Sequence, residues 1–213
     1  MTGERRKFRR EGEGQRRDAL IAAALELIGE GGPQAATVRA IAERAGVSAG
    51  LIRHYFQTKE ELTRAAYAAL MNRMTEDTAA ALETVPQRPE ARLAIFVAAS
   101  LRPPVVDPEA LSRWAAMLHG TRTDASMRAV HQAGYFGYRD RLEVLIGALP
   151  RQVSAPRLHA DAIACNAVID GLWLEGSALP HAFAPDELVE IGLTSVSAIL
   201  GFDLTPHLPR NAP

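Results

Sequence analysis

The amino-acid sequence predicts an all-α protein: an N-terminal unit built round a three-helix helix-turn-helix, followed by a larger C-terminal helical domain, about nine helices in all. Three observations carry that reading. Apolar residues recur at spacings of three and four in a chain dominated by Ala, Leu and Arg. No stretch shows the strict alternation of a half-buried strand, and no repeat of solenoid period is present. Prolines fall between the periodic segments or at their first turn, so each marks a boundary.

The first helix is expected from about Gln15 to Glu30, with Leu20, Ala24, Leu27 and Ile28 on one face, and a stop at Gly31-Gly32-Pro33. Thr37 caps a short helix to about Ala45, ended by Gly46, and Ser48 caps a third to about Tyr55. Thr58-Lys59-Glu60-Glu61 has the form of a capping box and opens a long helix toward Glu83, halted before Pro86. Further helices are expected near 89–102, 108–120, 123–149, 155–179 and 185–200. The last two contain "AIACNAVIDGLWL" and "LVEIGLTSVSAIL" and are apolar on more than one face, which requires burial on several sides. Either they lie against a second copy of the chain as well as their own core, or they are central in a monomer.

With 213 residues, 47% of them hydrophobic and 23% charged, the chain is long enough to bury a core without staples. A single cysteine, Cys165, excludes an intramolecular disulfide framework and a multi-cysteine metal site. Cys165 sits in an apolar helix with no adjacent positive charge, the setting of a structural thiol. The histidines, at 54, 119, 131, 159, 181 and 207, lack any tight metal-binding spacing, and no P-loop, G-x-S-x-G or dinucleotide fingerprint is present. No metal, no cofactor and no enzymatic activity are therefore expected. The start, "MTGERRKFRREGEG", is charged where a signal peptide needs an apolar core. No apolar run approaches the roughly 18 residues of a membrane span, so a cytoplasmic protein with no membrane partner is expected.

The net charge of -1 hides an asymmetry: residues 1–59 carry 11 Lys/Arg against 7 Asp/Glu, and 60–213 carry 13 against 18. A basic module beside an acidic remainder suits a nucleic-acid contact, although a solvated face would show the same balance. A helix-turn-helix explains the basic part in physical terms. Its first helix needs apolar residues facing inward, which Val38, Ile41, Ala42 and Ala45 supply. Its turn needs a residue tolerant of positive φ beside an apolar anchor, and Gly46 and Val47 stand there. The second helix must enter a major groove about 12 Å wide, so its leading residues must be small or able to reach base edges. Ser48, Ala49 and Gly50 are small, Arg53 follows one turn later, and Ile52 and Phe56 turn inward. A plain helical hairpin with small residues used only for packing is the alternative.

The stretch "TVRAIAERAGVSAGLIRHYFQTKEEL", Thr37 to Leu62, resembles the DNA-binding signature of TetR-family transcriptional regulators. The shared parts are a Thr-capped helix, an A-G-V-S turn, a recognition helix ending in an aromatic pair and a K-E-x-L linker helix, and the match covers residues 15 to about 65. The resemblance implies double-stranded operator DNA as partner. Carried over by position, Thr37, Ser48, Tyr55 and Lys59 contact phosphates, and Arg39, Ala49, Gly50, Leu51, Arg53 and His54 face the groove. Leu51 departs from the polar residues often found there and suits a thymine methyl. "AVIDGLWLEGSALPHAFAPDEL", Ala167 to Leu188, and "GLIRHYF" upstream are similar to the corresponding segments of BetI-type regulators, whose regulatory domain is associated with choline-responsive control.

The arm "RRKFRREGEGQRR" carries Arg5, Arg6, Lys7, Arg9, Arg10, Arg16 and Arg17, placed to follow phosphates or to solubilise a tail. Phe96, Trp114, Tyr135 and Trp173, with Asp170 as counter-charge, are the candidate ligand residues: an aromatic cage for a choline-like cation, or ordinary core. The reading is a ligand-released homodimeric repressor, with an arm at 1–14, a DNA-binding domain at 15–60, a ligand-binding and dimerisation domain at 61–205 and a tail at 206–213. A helical small-molecule-processing enzyme and a non-specific architectural DNA binder are the alternatives.

Overall fold

The structure is a computed structural model and describes residues 2–83 and 87–208, with side chains from residue 13 onward. Among the described residues it holds nine α-helices, two 3₁₀ turns and no strand. Packing divides the chain into two compact units. The first is Met1–Leu70 with Ser112–His131, and the second is Met71–Leu111 with Gln132–Pro213. The expected boundary at residue 60 lies at the start of the helix Lys59–Ala80, whose residues are shared between the two units.

In the first unit, α1 spans Thr2–Gly31 and turns Leu20, Ala24 and Ile28 into the core. It starts well before the expected Gln15. Residues 2–14 are mostly Glu, Arg and Lys, strong helix formers without an apolar stripe, so periodicity gives no signal for their start. The side chains of Arg5, Arg6, Lys7, Arg9 and Arg10 lie outside the described residues, whereas Arg16 and Arg17 are exposed. Helices α2 (Val38–Arg44) and α3 (Ala49–Tyr55) follow, then α4 (Lys59–Ala80), whose first half belongs to this unit. Ile41, Ile52, Phe56, Leu62 and Tyr67 complete the core, each nearly or wholly buried. Burying a side chain of that size stabilises by roughly 1.5–3 kcal/mol.

In the second unit, α5 (Pro89–Ser100) is the innermost helix: seven apolar residues, Ala91, Leu93, Ala94, Ile95, Phe96, Val97 and Ala98, are buried. The sequence points instead to the last two helices as the most enclosed. The alanines of α5 let it be buried on every side, a pattern that looks less hydrophobic than the Leu/Ile-rich runs downstream. Helices α8 (Ala155–Ala178) and α9 (Glu187–Leu200) pack on each other and on α5. Between α5 and α8 in sequence come α6 (Pro108–Leu118), a 3₁₀ turn at His119–Arg122 and α7 (Ala125–Gly147), of which Ser112–His131 belong to the first unit. In the second turn of α8, Asp161 accepts hydrogen bonds from Arg151 at 2.5 Å and Arg157 at 2.6 Å. The same arginines donate to the carbonyls of Leu200 and Ile199, closing the C-terminal end of α9.

Candidate nucleic-acid interface and candidate ligand residues

The helix-turn-helix is fixed by its caps. Thr37 Oγ1 accepts from the Ala40 N–H at 3.1 Å, and Ser48 Oγ from the Leu51 N–H at 3.3 Å. At the turn, Gly46 has φ +64, and the N–H groups of Gly46 and Val47 return to the carbonyls of Glu43 and Ala42. This is a Schellman closure, which a residue with a Cβ enters only under strain. Arg44, absent from the sequence-derived set, binds Glu30 and Glu26 of α1 and so fixes α2 on α1. The signal for it is the i,i+4 pair of glutamates facing a basic last turn. Hydrogen bonding by Arg44 holds the Glu30 carboxyl below its ordinary range.

With α3 held by buried Ile52 and Phe56, its other face carries Ala49, Gly50, Arg53 and His54, all exposed, and Leu51 and Tyr55 are half-buried. Thr37, Arg39 and Ser48 are exposed beside it. A Cβ built on Gly50 meets nothing nearer than Ser48 Oγ at 3.9 Å, so packing within the chain does not demand the glycine. The capping hydroxyls of Thr37 and Ser48 spend an acceptor on the cap and retain their O–H for a phosphate oxygen. Lys59 Nζ donates to the Pro33 carbonyl at 3.2 Å, which holds the ammonium beside the α1–α2 loop. At the far end of α3, Arg17 stacks over Phe56 with its Cζ 5.1 Å from the ring centroid. Thr58 caps α4 by accepting from Glu61 N–H, and the Glu61 carboxylate reaches back to Gln57 N–H, one residue beyond the usual capping-box partner.

The candidate ligand residues do not form one group. Trp114 belongs to the first unit, where its ring lies 6.4 Å from that of His131. His131 in turn stacks on Tyr67 and shares a 2.7 Å hydrogen bond with its hydroxyl. Burial pushes the Tyr67 hydroxyl up to about 12 and lowers the His131 imidazole, so neutral partners are favoured here. Phe96, Tyr135, Asp170 and Trp173 are in the second unit. Asp170 is largely shielded, and burial raises its carboxyl, although Tyr135 and Asn166 hydrogen-bond it, Asn166 at 2.8 Å. Tyr138, packed 5.1 Å from Phe96, shares a 2.7 Å hydrogen bond with Ser100. Trp173 is buried and its indole N–H donates to the Val105 carbonyl at 2.9 Å. Cys165 is buried too, its thiol pushed up to about 12 by burial, the state of an inert core residue. The sequence signal that would have found Asn166 is its i,i+4 spacing from Asp170; Tyr138 is legible only as one more aromatic of this part of the chain, and Ser100 carries no signal.

Among the described residues no group of three or more His, Cys, Asp or Glu is placed to hold a metal ion. None of the described helices is long and apolar enough to cross a membrane.

Residues 20–66 match the family of bacterial regulatory proteins of the TetR type, and residues 89–201 match the C-terminal domain of BetI-type transcriptional repressors. The HTH-type transcriptional regulator BetI of Rhizobium meliloti (strain 1021) is 32% identical over 164 residues, 76% of this chain and 78% of that protein. BetI of Escherichia coli (strain K12) is 31% identical over 197 residues, 92% of this chain and 95% of that protein. Among solved structures, a transcriptional regulator from Pseudomonas aeruginosa PAO1 superposes with a TM-score of 0.76 at 32% identity, covering 92% of this chain and 95% of that one. A regulator from Saccharomonospora viridis in complex with choline shares the fold, with a TM-score of 0.67 at 18% identity, covering 84% of this chain and 94% of that one.

Proposed function

Because the chain belongs to the TetR family of bacterial regulatory proteins, which act by binding DNA rather than by catalysis, we propose that it is a cytoplasmic homodimeric repressor released from its operator by a small organic cation. The observation that carries this reading is the division of α3: Ile52 is buried with the following Phe56, while Ala49, Gly50, Arg53 and His54 stand exposed on a helix capped at Ser48. In this reading Arg53 reads a base edge, Leu51 takes a thymine methyl, and Thr37, Ser48, Tyr55 and Lys59 hold phosphates. Arg39 and His54 flank the reading face.

Dimerisation accounts for the outer faces of α8 and α9. Ile163, Ala167, Gly171 and Leu174 form an exposed apolar stripe on α8, and Ile191 stands exposed on α9. Two copies paired through these faces would present two reading helices to major grooves one turn, about 34–36 Å, apart. For the effector, the Asp170 carboxylate supplies the counter-charge and Tyr135, Tyr138 and Phe96 the aromatic surroundings, in keeping with the BetI relatives and with the choline held by the Saccharomonospora viridis protein. Trp173 packs the same unit. Binding there would displace α4 and change the separation of the two reading helices, a coupling of typically 1–3 kcal/mol.

The direct test is a DNA-retention titration on the duplex upstream of the protein's own coding sequence, with and without choline. Specific retention that choline weakens supports the whole reading. Equal retention of scrambled duplex removes the repressor reading, and retention indifferent to choline removes only that effector.

A further inference from the structure

In the second unit α7 approaches α4 closely at Gly134. An alanine Cβ at Gly134 of α7 would stand 2.8 Å from Met71 Cε, 2.9 Å from Met71 Cβ and 3.2 Å from Met71 Cγ. The methyl at the end of a methionine can swing aside, but its Cβ is fixed to the backbone of α4. Any side chain at 134 therefore forces α4 and α7 apart. Gly137, one turn further along the same helix, has nothing within 4 Å of its would-be Cβ. Glycine is unfavourable inside a helix relative to alanine, so at 134 its tolerance is explained by the crossing, and at 137 no neighbour explains it.

The next residue, Tyr135, hydrogen-bonds Asp170 on α8, and Tyr138 lies against Phe96 on α5. Gly134 and Tyr135, consecutive on α7, thus approach Met71 of α4 and Asp170 of α8 respectively. Helix α4 runs unbroken from Ala80 back to Lys59, and residues 56–58 join it to α3. We propose that the Gly134–Met71 crossing is the contact through which the Asp170 cluster sets the position of α4, with Gly134 as a positioning residue for DNA binding. The proposal rests on the effector reading for what occupies the cluster, but not for the role of the crossing in holding the DNA-binding state. A ligand cation that draws on Asp170 competes with Tyr135, moves α7, and α4 follows because the crossing leaves no slack.

The test compares Gly134→Ala with Gly137→Ala, the same change on the same helix without the contact. Operator affinity is measured on the upstream duplex in the absence of any effector, choline affinity by tryptophan fluorescence, and folding by thermal melting. Gly134→Ala is expected to weaken operator binding by about 5- to 150-fold, the span of a typical allosteric coupling, while choline binds more tightly, because a shift in population acts oppositely on the two ligands. Gly137→Ala is expected to change neither. A parallel fall in both affinities in Gly134→Ala, or no change in either, overturns the proposal. If wild type fails to bind choline, the effector reading falls alone, and the operator arm still decides: a shift confined to Gly134→Ala with melting preserved supports the crossing, and none overturns it. Should Gly134→Ala not fold, Met71→Ala probes the crossing from the other side. At least a fivefold change in operator affinity is then expected, and an unchanged affinity overturns the proposal.

Discussion

The guanidinium of Arg44 closes on the Glu30 carboxylate through two hydrogen bonds of 2.8 Å, while its Nη1 also reaches Glu26 at 3.0 Å. This paired geometry sets the angle of α2 on α1, and the glycine-closed turn passes that angle to α3. Because the pair is exposed, Arg44→Ala is expected to reduce operator affinity more clearly than thermal stability. Arg44→Lys keeps the charge but loses the fork and should not restore binding. Glu30 is depressed in the fold, so its contribution is present above its unfolded value of 4.5 and is lost as pH falls through the lower folded value. A double-mutant cycle on Arg44 and Glu30 should therefore show coupling at pH 7 that fades as pH falls below 4.5 through the lower folded value; coupling indifferent to acid contradicts the assignment.

Asp161 is 3% exposed and bridges Arg151 and Arg157. Burial pushes its carboxyl up, but hydrogen bonds from the two arginines outweigh that and hold it below 3.8. Its stabilising effect is thus complete at neutral pH and lost only as pH falls below 3.8. Asp161→Ala leaves Arg151 half-paired beneath α9 and should cost roughly 3–5 kcal/mol at pH 7 by denaturant unfolding. A loss below about 1 kcal/mol, the scale of an exposed pair, contradicts the buried role.

At Asp170 the sign reverses. Burial raises its carboxyl above 3.8, so its contribution to stability is fully present below 3.8 and is lost as pH rises through the higher folded value. A cation binds the ionised form. Choline affinity should therefore strengthen as pH rises from 3.8 through the higher folded value, and Asp170→Asn should remove both the binding and its pH dependence. A pH-independent affinity in wild type assigns the ligand elsewhere.

Ile191 is 40% exposed on α9 and Leu174 is 46% exposed on α8. In the proposed dimer both are covered, and Ile191→Asp buries a charge without a partner. Light scattering is expected to give a dimer mass for wild type at micromolar concentration and a monomer for the variant. A monomeric wild type contradicts the pairing.

Much of this was legible because the chain marks its own boundaries. Gly31-Gly32-Pro33, Gly46 and the prolines at 89, 108 and 156 punctuate helices that the structure begins or ends within a few residues of the expected positions. Thr37 and Ser48 were readable as caps because capping depends on neighbours three residues away. What escaped depends on distant partners. The burial of α5 is hidden by its alanines, and the start of α1 by a run of charge with no face. The grouping of Trp114 with Tyr67 and His131, rather than with the other aromatics, follows from packing between segments far apart in sequence. Arg44 and Asn166 left only i,i+4 spacings, which many solvated helices share.

The central claim is that Arg53 reads sequence while other basic residues hold the backbone. Wild type, Arg53→Ala and Arg16→Ala are titrated against the operator and a scrambled duplex over a range of salt concentrations. Arg53→Ala is expected to cost roughly 1–3 kcal/mol per half-site on the operator with little change on scrambled duplex. Arg16→Ala, exposed on α1, should weaken both duplexes alike and flatten the slope of log K against log salt by about 0.9 for each phosphate that is no longer neutralised. Equal weakening on both duplexes for Arg53→Ala would reduce Arg53 to a phosphate clamp and contradict the account.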